Sequence, residues 1–141
     1  IKKINPCGGN IIYQAVRHFK EDSSKHVVVF DKDALTEGDF ENIKYQAARK
    51  NIMLVFSNIC FEVWLLAHFE RVNPSYISTS NLNSRLSNYL HLEYRKGDIS
   101  QINSILRHYD DAIANSQHIE MLNFNHQCTN VGVLCEMLKN E

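Results

Sequence analysis

Two short unbroken apolar runs, Val27-Val28-Val29-Phe30 and Ile52-Met53-Leu54-Val55-Phe56, lie on either side of a segment whose apolar residues are spaced periodically. Their length and β-branched content predict strands buried on both faces, the first beginning at His26. Between them Phe40, Ile43 and Ala47 recur at intervals of three and four. That spacing predicts a helix over 37–50, with Tyr45 or Ala48 as further inward positions. Thr36 is its candidate N-cap, and Asp39, three residues on, makes an acidic variant of a capping box. Asn51 ends it. Strand, helix and strand form a βαβ unit, which implies a parallel pair and a right-handed crossover.

Upstream, residues 1–5 read as a short strand closed by the turn Pro6-Cys7-Gly8-Gly9. Asn10 is a candidate N-cap for a helix over 11–21, with Ile12, Ala15, Val16 and Phe19 on one face. Asp22-Ser23-Ser24 breaks it. If residues 1–5 are a strand, two βαβ units run in tandem. Downstream, Ser57-Asn58 offers a cap or turn before a helix over 60–69 that is apolar almost all round and therefore central to the core. Beyond Phe69 the strands stop. A loop over 71–78 leads to a helix marked by Leu82, Leu86, Tyr89 and Leu90, then a charged link over 93–98. A longer helix over 99–116 turns Ile102, Ile105, Leu106, Tyr109 and Ile113 inward. The last, over 129–139, does so with Val133, Leu134, Met137 and Leu138. The expected architecture is α/β: one domain over 1–141, with an α/β core in 1–70 and a helical extension in 71–141.

Composition narrows the class. The chain has 141 residues, 44% hydrophobic and 22% charged, which suits one globular domain with a core of its own. A formal net charge of -1 gives no global case for nucleic-acid binding, although a local basic patch would be enough. Cys7, Cys60, Cys128 and Cys135 show no CxxC spacing and read as free thiols of a reducing compartment, so the expected location is cytoplasmic. No run of about 18 apolar residues and no signal peptide is visible, so no membrane association is expected. The chain starts at Ile1 without a methionine, as the surviving part of a longer protein would.

The first strand runs into Asp31-Lys32-Asp33. A buried Asp is costly unless paired or bound to a metal, which favours the exposed carboxyl end of the strand, where open α/β sheets place their ligands. While the backbone stays extended, Asp31 and Asp33 share a face and could hold Mg²⁺ through water. The alternative is a polar turn, since Asp is common where strands end. Lys32 would point to the other face, toward a carboxylate, a phosphate or solvent. Glu62 sits in the first turn of the apolar helix, as a third acidic group at the same sheet edge or as a carboxylate satisfied by local N–H groups. Ser57 and Asn58 could meet a phosphate or cap the helix. His68, six residues after Glu62, is a core or edge histidine, or a pocket residue. His91, His108, His118 and His126 lack metal-ligand spacing, and Asp110-Asp111 reads as a solvated face. No GxGxxG, P-loop, GxSxG or HExxH motif occurs.

Val29-Phe30-Asp31-Lys32-Asp33, then the stretch from Ser57-Asn58-Ile59-Cys60-Phe61-Glu62 through Trp64-Leu65-Leu66-Ala67-His68-Phe69-Glu70, then Cys128-Thr129-Asn130-Val131 through Leu138, resemble the RloB-like proteins. These are part of the larger class with a topoisomerase–primase (Toprim) domain. The looser match spans essentially the whole chain. The family pattern tends to have a proline where Ile59 stands and a proline-serine pair at Gln127-Cys128. The resemblance implies a Toprim-like parallel sheet flanked by helices, an acidic site for Mg²⁺ (or Mn²⁺), and a nuclease role in bacterial defence against phage or foreign DNA, of the abortive-infection kind. Carried over, Asp31 and Asp33 match the DxD, and Glu62 matches the glutamate of the CFE motif. The Toprim pattern also needs a glutamate after an earlier strand. None precedes Asn10, the first acidic residue being Glu21, so the resemblance implies that an N-terminal strand is missing.

Three functions follow as expectations. The first is a Mg²⁺-dependent nuclease with Asp31, Asp33 and Glu62 catalytic, Asp31 and Asp33 holding the metal, and Ser57, Asn58, Lys32 and His68 shaping the pocket. Its partners would be DNA or RNA, and a defence-system protein or a second copy. Another is a phosphatase of the haloacid dehalogenase type, which also places DxD after an apolar strand and a Ser after another, although Leu35 stands where Thr or Val is expected. The third is a non-catalytic module binding nucleic acid or a partner.

Overall fold

The computed structural model describes residues 1–5, 7–20, 24–75, 77–119 and 121–141. Pro6 of the expected turn, Glu21 at the expected helix end, Asp22 and Ser23 of the break, and Tyr76 of the expected loop lie outside the described residues. The elements are α1 (Ile11–Val16), β1 (His26–Asp31), α2 (Glu37–Arg49), β2 (Ile52–Asn58), α3 (Glu62–Ala67), α4 (Thr79–Leu90), α5 (Ile99–Ile105), α6 (Tyr109–Ser116), β3 (Cys128–Thr129) and α7 (Val131–Lys139).

The two apolar runs form adjacent strands. β1 and β2 pair in parallel, in register from His26 opposite Ile52 to Asp31 opposite Ser57. The crossover is α2, whose start carries the full capping box: Asp39 N–H donates to Thr36 Oγ1 and Thr36 N–H donates to Asp39 Oδ2, both at 3.1 Å. Phe40, Ile43 and Ala47 are buried, whereas Tyr45 is exposed. Asn51 closes the helix with φ at 51°, a left-handed position that Asn tolerates.

The sheet departs from expectation on both sides of this pair. Residues 1–5 form no strand, so no second βαβ unit arises. With two lysines among five residues and only Ile4 shielded from solvent, the segment has too little apolar surface to bury in a ladder. On the other side β3, two residues long, pairs antiparallel with β2, Ser57 opposite Thr129 and Asn58 opposite Cys128. The sheet is therefore mixed, in the order β1-β2-β3. Two residues leave no periodicity to read, which is why the C-terminal half looked purely helical. β1 is an edge strand, and this explains why Val29 is half exposed although its run resembles that of the buried β2.

Each sheet face has a core. Val28, Phe30 and Phe56 pack with Ile12, Phe40 and Ile43 of α1 and α2. Val55 packs on the other face with Trp64, Leu65, Leu82, Leu86, Ile105 and Ala112. All six residues of α3 are buried, as its all-round apolar sequence demands. The expected helix over 99–116 is broken by a 3-10 turn, Leu106–His108, between α5 and α6. The tighter winding shifts the helical phase, so Leu106 turns outward and Ala112 joins Ile105 and Ile113 inside. In α7, Val133 and Leu138 are exposed, and Val131 and Gly132 are buried instead. A Cβ on Gly132 would lie 2.8 Å from Ser116 Oγ and 3.4 Å from Trp64 Cζ3, so this glycine lets the first turn of α7 seat against α3 and α6. α1 stops at Val16, and a 3-10 turn, Gly8–Asn10, leads into it without a side-chain cap from Asn10. Among the described residues no helix is long and apolar enough to cross a membrane.

Candidate functional site

β1 ends where its sequence becomes acidic. Lys32 N–H still donates to Ser57 C=O at 3.1 Å, but Asp33 adopts a left-handed φ of 39°, so the backbone is no longer extended there. The shared-face relation of Asp31 and Asp33, which assumes an extended chain, does not hold. Asp31 stays half-buried at the strand end, and Asp33 turns into solvent. Both nevertheless line one broad groove of about 1390 Å³.

The parallel partner strand delivers the second carboxylate. β2 ends at Asn58, the Asn58–Ile59 peptide is cis, and a short turn brings Glu62 to the start of α3. Glu62 is only 4% exposed yet lines the same groove. Its Oε1 accepts a hydrogen bond from Tyr94 Oη at 3.1 Å and faces Lys96 Nζ at 3.6 Å. Its buried Oε2 has no hydrogen-bond partner among the described residues.

The electrostatics separate the two acids. Burial pushes the Asp31 carboxyl above its ordinary value; the Phe61 backbone N–H opposes this, and the nearby charge of Glu62 reinforces it. Burial also pushes Glu62 upward, but the Cys60 thiol, its own backbone N–H, Lys96 and Tyr94 together outweigh it and hold Glu62 below the usual carboxylate range. The Cys60 thiol is itself pushed up to about 12, by burial and then by Glu62. At neutral pH the site thus holds one well-stabilised carboxylate, Glu62, beside one whose charge is costly, Asp31.

The remaining sequence-derived candidates lie elsewhere. Lys32 Nζ donates to Phe124 C=O at 2.9 Å and sits 4.1 Å over the Phe124 ring, so it is part-buried on that loop and outside the groove lining. Ser57 is buried, its hydroxyl 2.9 Å from that of Thr129. Asn58 is the sheet's end anchor rather than a helix cap: its Nδ2 lies within 3.0 Å of the carbonyl oxygens of Asn123, Phe124 and His126. His68 closes the far end of α3, about 9 Å along the helix from Glu62. It is buried against Trp64, with Nδ1 3.0 Å from Trp64 C=O and Nε2 unpartnered among the described residues. The structure therefore brings together Asp31, Asp33 and Glu62 along one groove and keeps Lys32, Ser57, Asn58 and His68 out of its lining.

Sequence reasoning passed over Tyr94 and Lys96, which sit in what reads as a charged link. Only the fold carries that link to Glu62, and the single local hint is an aromatic residue within a run of charges. It also passed over Asn130, whose Oδ1 accepts from Phe56 N–H at 2.8 Å and whose Nδ2 donates to Leu54 C=O at 2.9 Å, satisfying β2 where β3 has already ended.

Among the described residues no group of three or more His, Cys, Asp or Glu side chains is disposed to hold a metal ion. The donor set still suits a hard cation that keeps most of its water. Mg²⁺ is commonly held by one or two carboxylates together with substrate phosphates, and Asp31 with the unpartnered Oε2 of Glu62 supplies that minimum. Asp33 is exposed beyond the turn and lines the same groove.

The family described as RloB-like protein matches residues 7–138 of the chain. No curated protein and no solved structure matches it.

Proposed function

The chain belongs to the RloB-like family, and from that premise we propose that it is a Toprim-type, Mg²⁺-dependent phosphodiester-cleaving domain acting on DNA or RNA in defence against phage. The observation that carries this reading is the pairing of Asp31, at the carboxyl end of β1, with the buried Glu62 at the start of α3, both opening on one groove. Open α/β sheets bind ligands at this edge. Asp31 and Glu62 would hold the metal, with Asp33 acting through water. Bound Mg²⁺ supplies charge stabilisation for the phosphate oxygens. The chain's own residues do the positioning. Tyr94 Oη and Lys96 Nζ both meet Oε1 of Glu62, the Cys60 thiol and the Glu62 backbone N–H add to holding it ionised, and the buried Oε2 has no hydrogen-bond partner among the described residues.

The test is calorimetric titration of Mg²⁺ together with cleavage assays on single- and double-stranded DNA and RNA, using the full chain and its Asp31→Ala and Glu62→Gln variants. Mg²⁺ binding and cleavage that both fall at least tenfold in each variant are the expected result. Cleavage indifferent to Asp31 would sink the reading.

A non-catalytic binding module is the second reading, favoured by one observation: Lys96 and Tyr94 already compensate Glu62 without any metal. It predicts nucleic-acid or protein binding with no Mg²⁺ heat. The phosphatase reading would need the Ser57 hydroxyl to leave the 2.9 Å contact it makes with Thr129.

A further inference from the structure

We propose that Lys96 is the phosphate-contacting cation of this groove, exchanging Glu62 for an oxygen of a nucleic-acid backbone. The inference rests on the phosphodiester reading above and names the side chain that would meet the substrate.

Three observations carry it. The Lys96 side chain is 77% exposed at the groove rim, and its contact with Glu62, at 3.6 Å, is an ion pair too long to be a hydrogen bond. All three of its N–H donors are therefore available to a ligand. Lys2, Lys3 and Lys25 also line the groove, but among the described residues Lys96 is the lysine that faces a carboxylate of the candidate site, while Lys32 and Lys44 are engaged outside the lining by Phe124 and Glu41. Second, the link is moored. Tyr94 is buried and bonded to Glu62, Arg95 N–H donates to Gln101 Oε1 at 2.8 Å, and Asp98 caps α5 through Gln101 N–H. Lys96 thus extends from a fixed backbone, which lowers the entropy cost of placing its ammonium. Third, Glu62 is more than nine-tenths buried, lines the groove and has an unpartnered Oε2, so the groove beside Lys96 has an acceptor left open to a donor or cation of whatever binds there, while Lys96 supplies donors for an anion. An ammonium next to such a carboxylate allows a polyanion to approach an acidic centre that would otherwise repel it.

The test measures binding of a short single-stranded oligonucleotide, as DNA and as RNA, to the full chain in chelator over a series of salt concentrations. Variants are Lys96→Ala, Lys96→Arg, Lys96→Glu and a remote control, Lys139→Ala. Loss of one phosphate contact flattens the slope of log K against log salt by about 0.7 for a single strand. The expected pattern is that flattening in Lys96→Ala, weaker binding still in Lys96→Glu, restoration in Lys96→Arg, and no change in Lys139→Ala. A merely structural role in holding Glu62 would leave the slope unmoved. An unaltered slope in Lys96→Ala, or no oligonucleotide binding by the parent chain, overturns the proposal. If Asp31→Ala still abolishes cleavage while Lys96→Ala leaves the slope intact, the inference on Lys96 fails and the nuclease reading stands. Lys96-dependent binding without any metal-dependent cleavage keeps Lys96 as the phosphate contact and overturns the nuclease reading.

Discussion

The Tyr94 phenol donates to Glu62 Oε1 at 3.1 Å, joining a residue of the link between α4 and α5 to the first residue of α3. This bond is both a fastening of the helical half onto the α/β core and part of what keeps Glu62 ionised. Because the folded value of Glu62 is lowered, its contribution to stability is held above its ordinary pH 4.5 and lost as pH falls through the lowered value. Tyr94→Phe removes one donor from a buried charge and is expected to cost about 2 kcal/mol near neutral pH. Urea unfolding at neutral pH and again in acid checks this: the difference from the parent chain should shrink once Glu62 is protonated.

Asp31 behaves in the opposite sense. Its folded value is raised, so the proton-bound form favours folding; the associated stability is complete below its ordinary pH 3.8 and is lost as pH rises through the raised value. Asp31→Asn is therefore expected to raise the melting temperature at neutral pH while abolishing Mg²⁺ binding. Thermal scans in chelator at neutral and acidic pH are the check. A variant that is less stable than the parent chain at neutral pH would contradict the placement of Asp31.

His68 links acid sensitivity to the core rather than to the groove. Burial lowers its value from 6.5, and the Trp64 carbonyl only partly offsets this. Its stability contribution is present above pH 6.5 and lost as pH falls through the lowered folded value, where the buried ring must take up a proton. Unfolding free energy should decline across that window in the parent chain and stay flatter in His68→Leu. Nuclease and binding activity at neutral pH should change little, since the ring lies outside the groove lining.

Asn130 substitutes for a strand where β3 falls short. Asn130→Ala strips partners from Phe56 N–H and Leu54 C=O in the central strand. Unpaired buried backbone groups cost about 1–3 kcal/mol each, so for the two groups a loss of about 2–6 kcal/mol is expected. Denaturant melts measure the loss, and hydrogen exchange should show protection falling first at Phe56.

The sequence by itself determined the elements whose signal is local. The apolar runs of β1 and β2, the 3.6-residue spacing of Phe40, Ile43 and Ala47, the Thr36–Asp39 capping box and the all-round apolar α3 each follow from neighbours within one or two turns. The carboxylates at Asp31 and Glu62 were legible for the same reason, as acidic residues placed where a strand ends and a buried helix begins. The tertiary structure alone decided which polar residues serve the groove and which serve the sheet. Ser57 and Asn58 look like phosphate ligands until Thr129 and the 123–126 loop engage them. Tyr94 and Lys96 look like a charged link until α4 delivers them to Glu62, 32 residues away in the chain from Tyr94. So too for Asp31-Lys32-Asp33, where a left-handed turn at Asp33 replaces the extended backbone that would have put two acids on one strand face, although both still line one groove. A polar side chain is satisfied by whatever donor or acceptor the fold brings within about 3 Å, and no periodicity in the sequence records that partner.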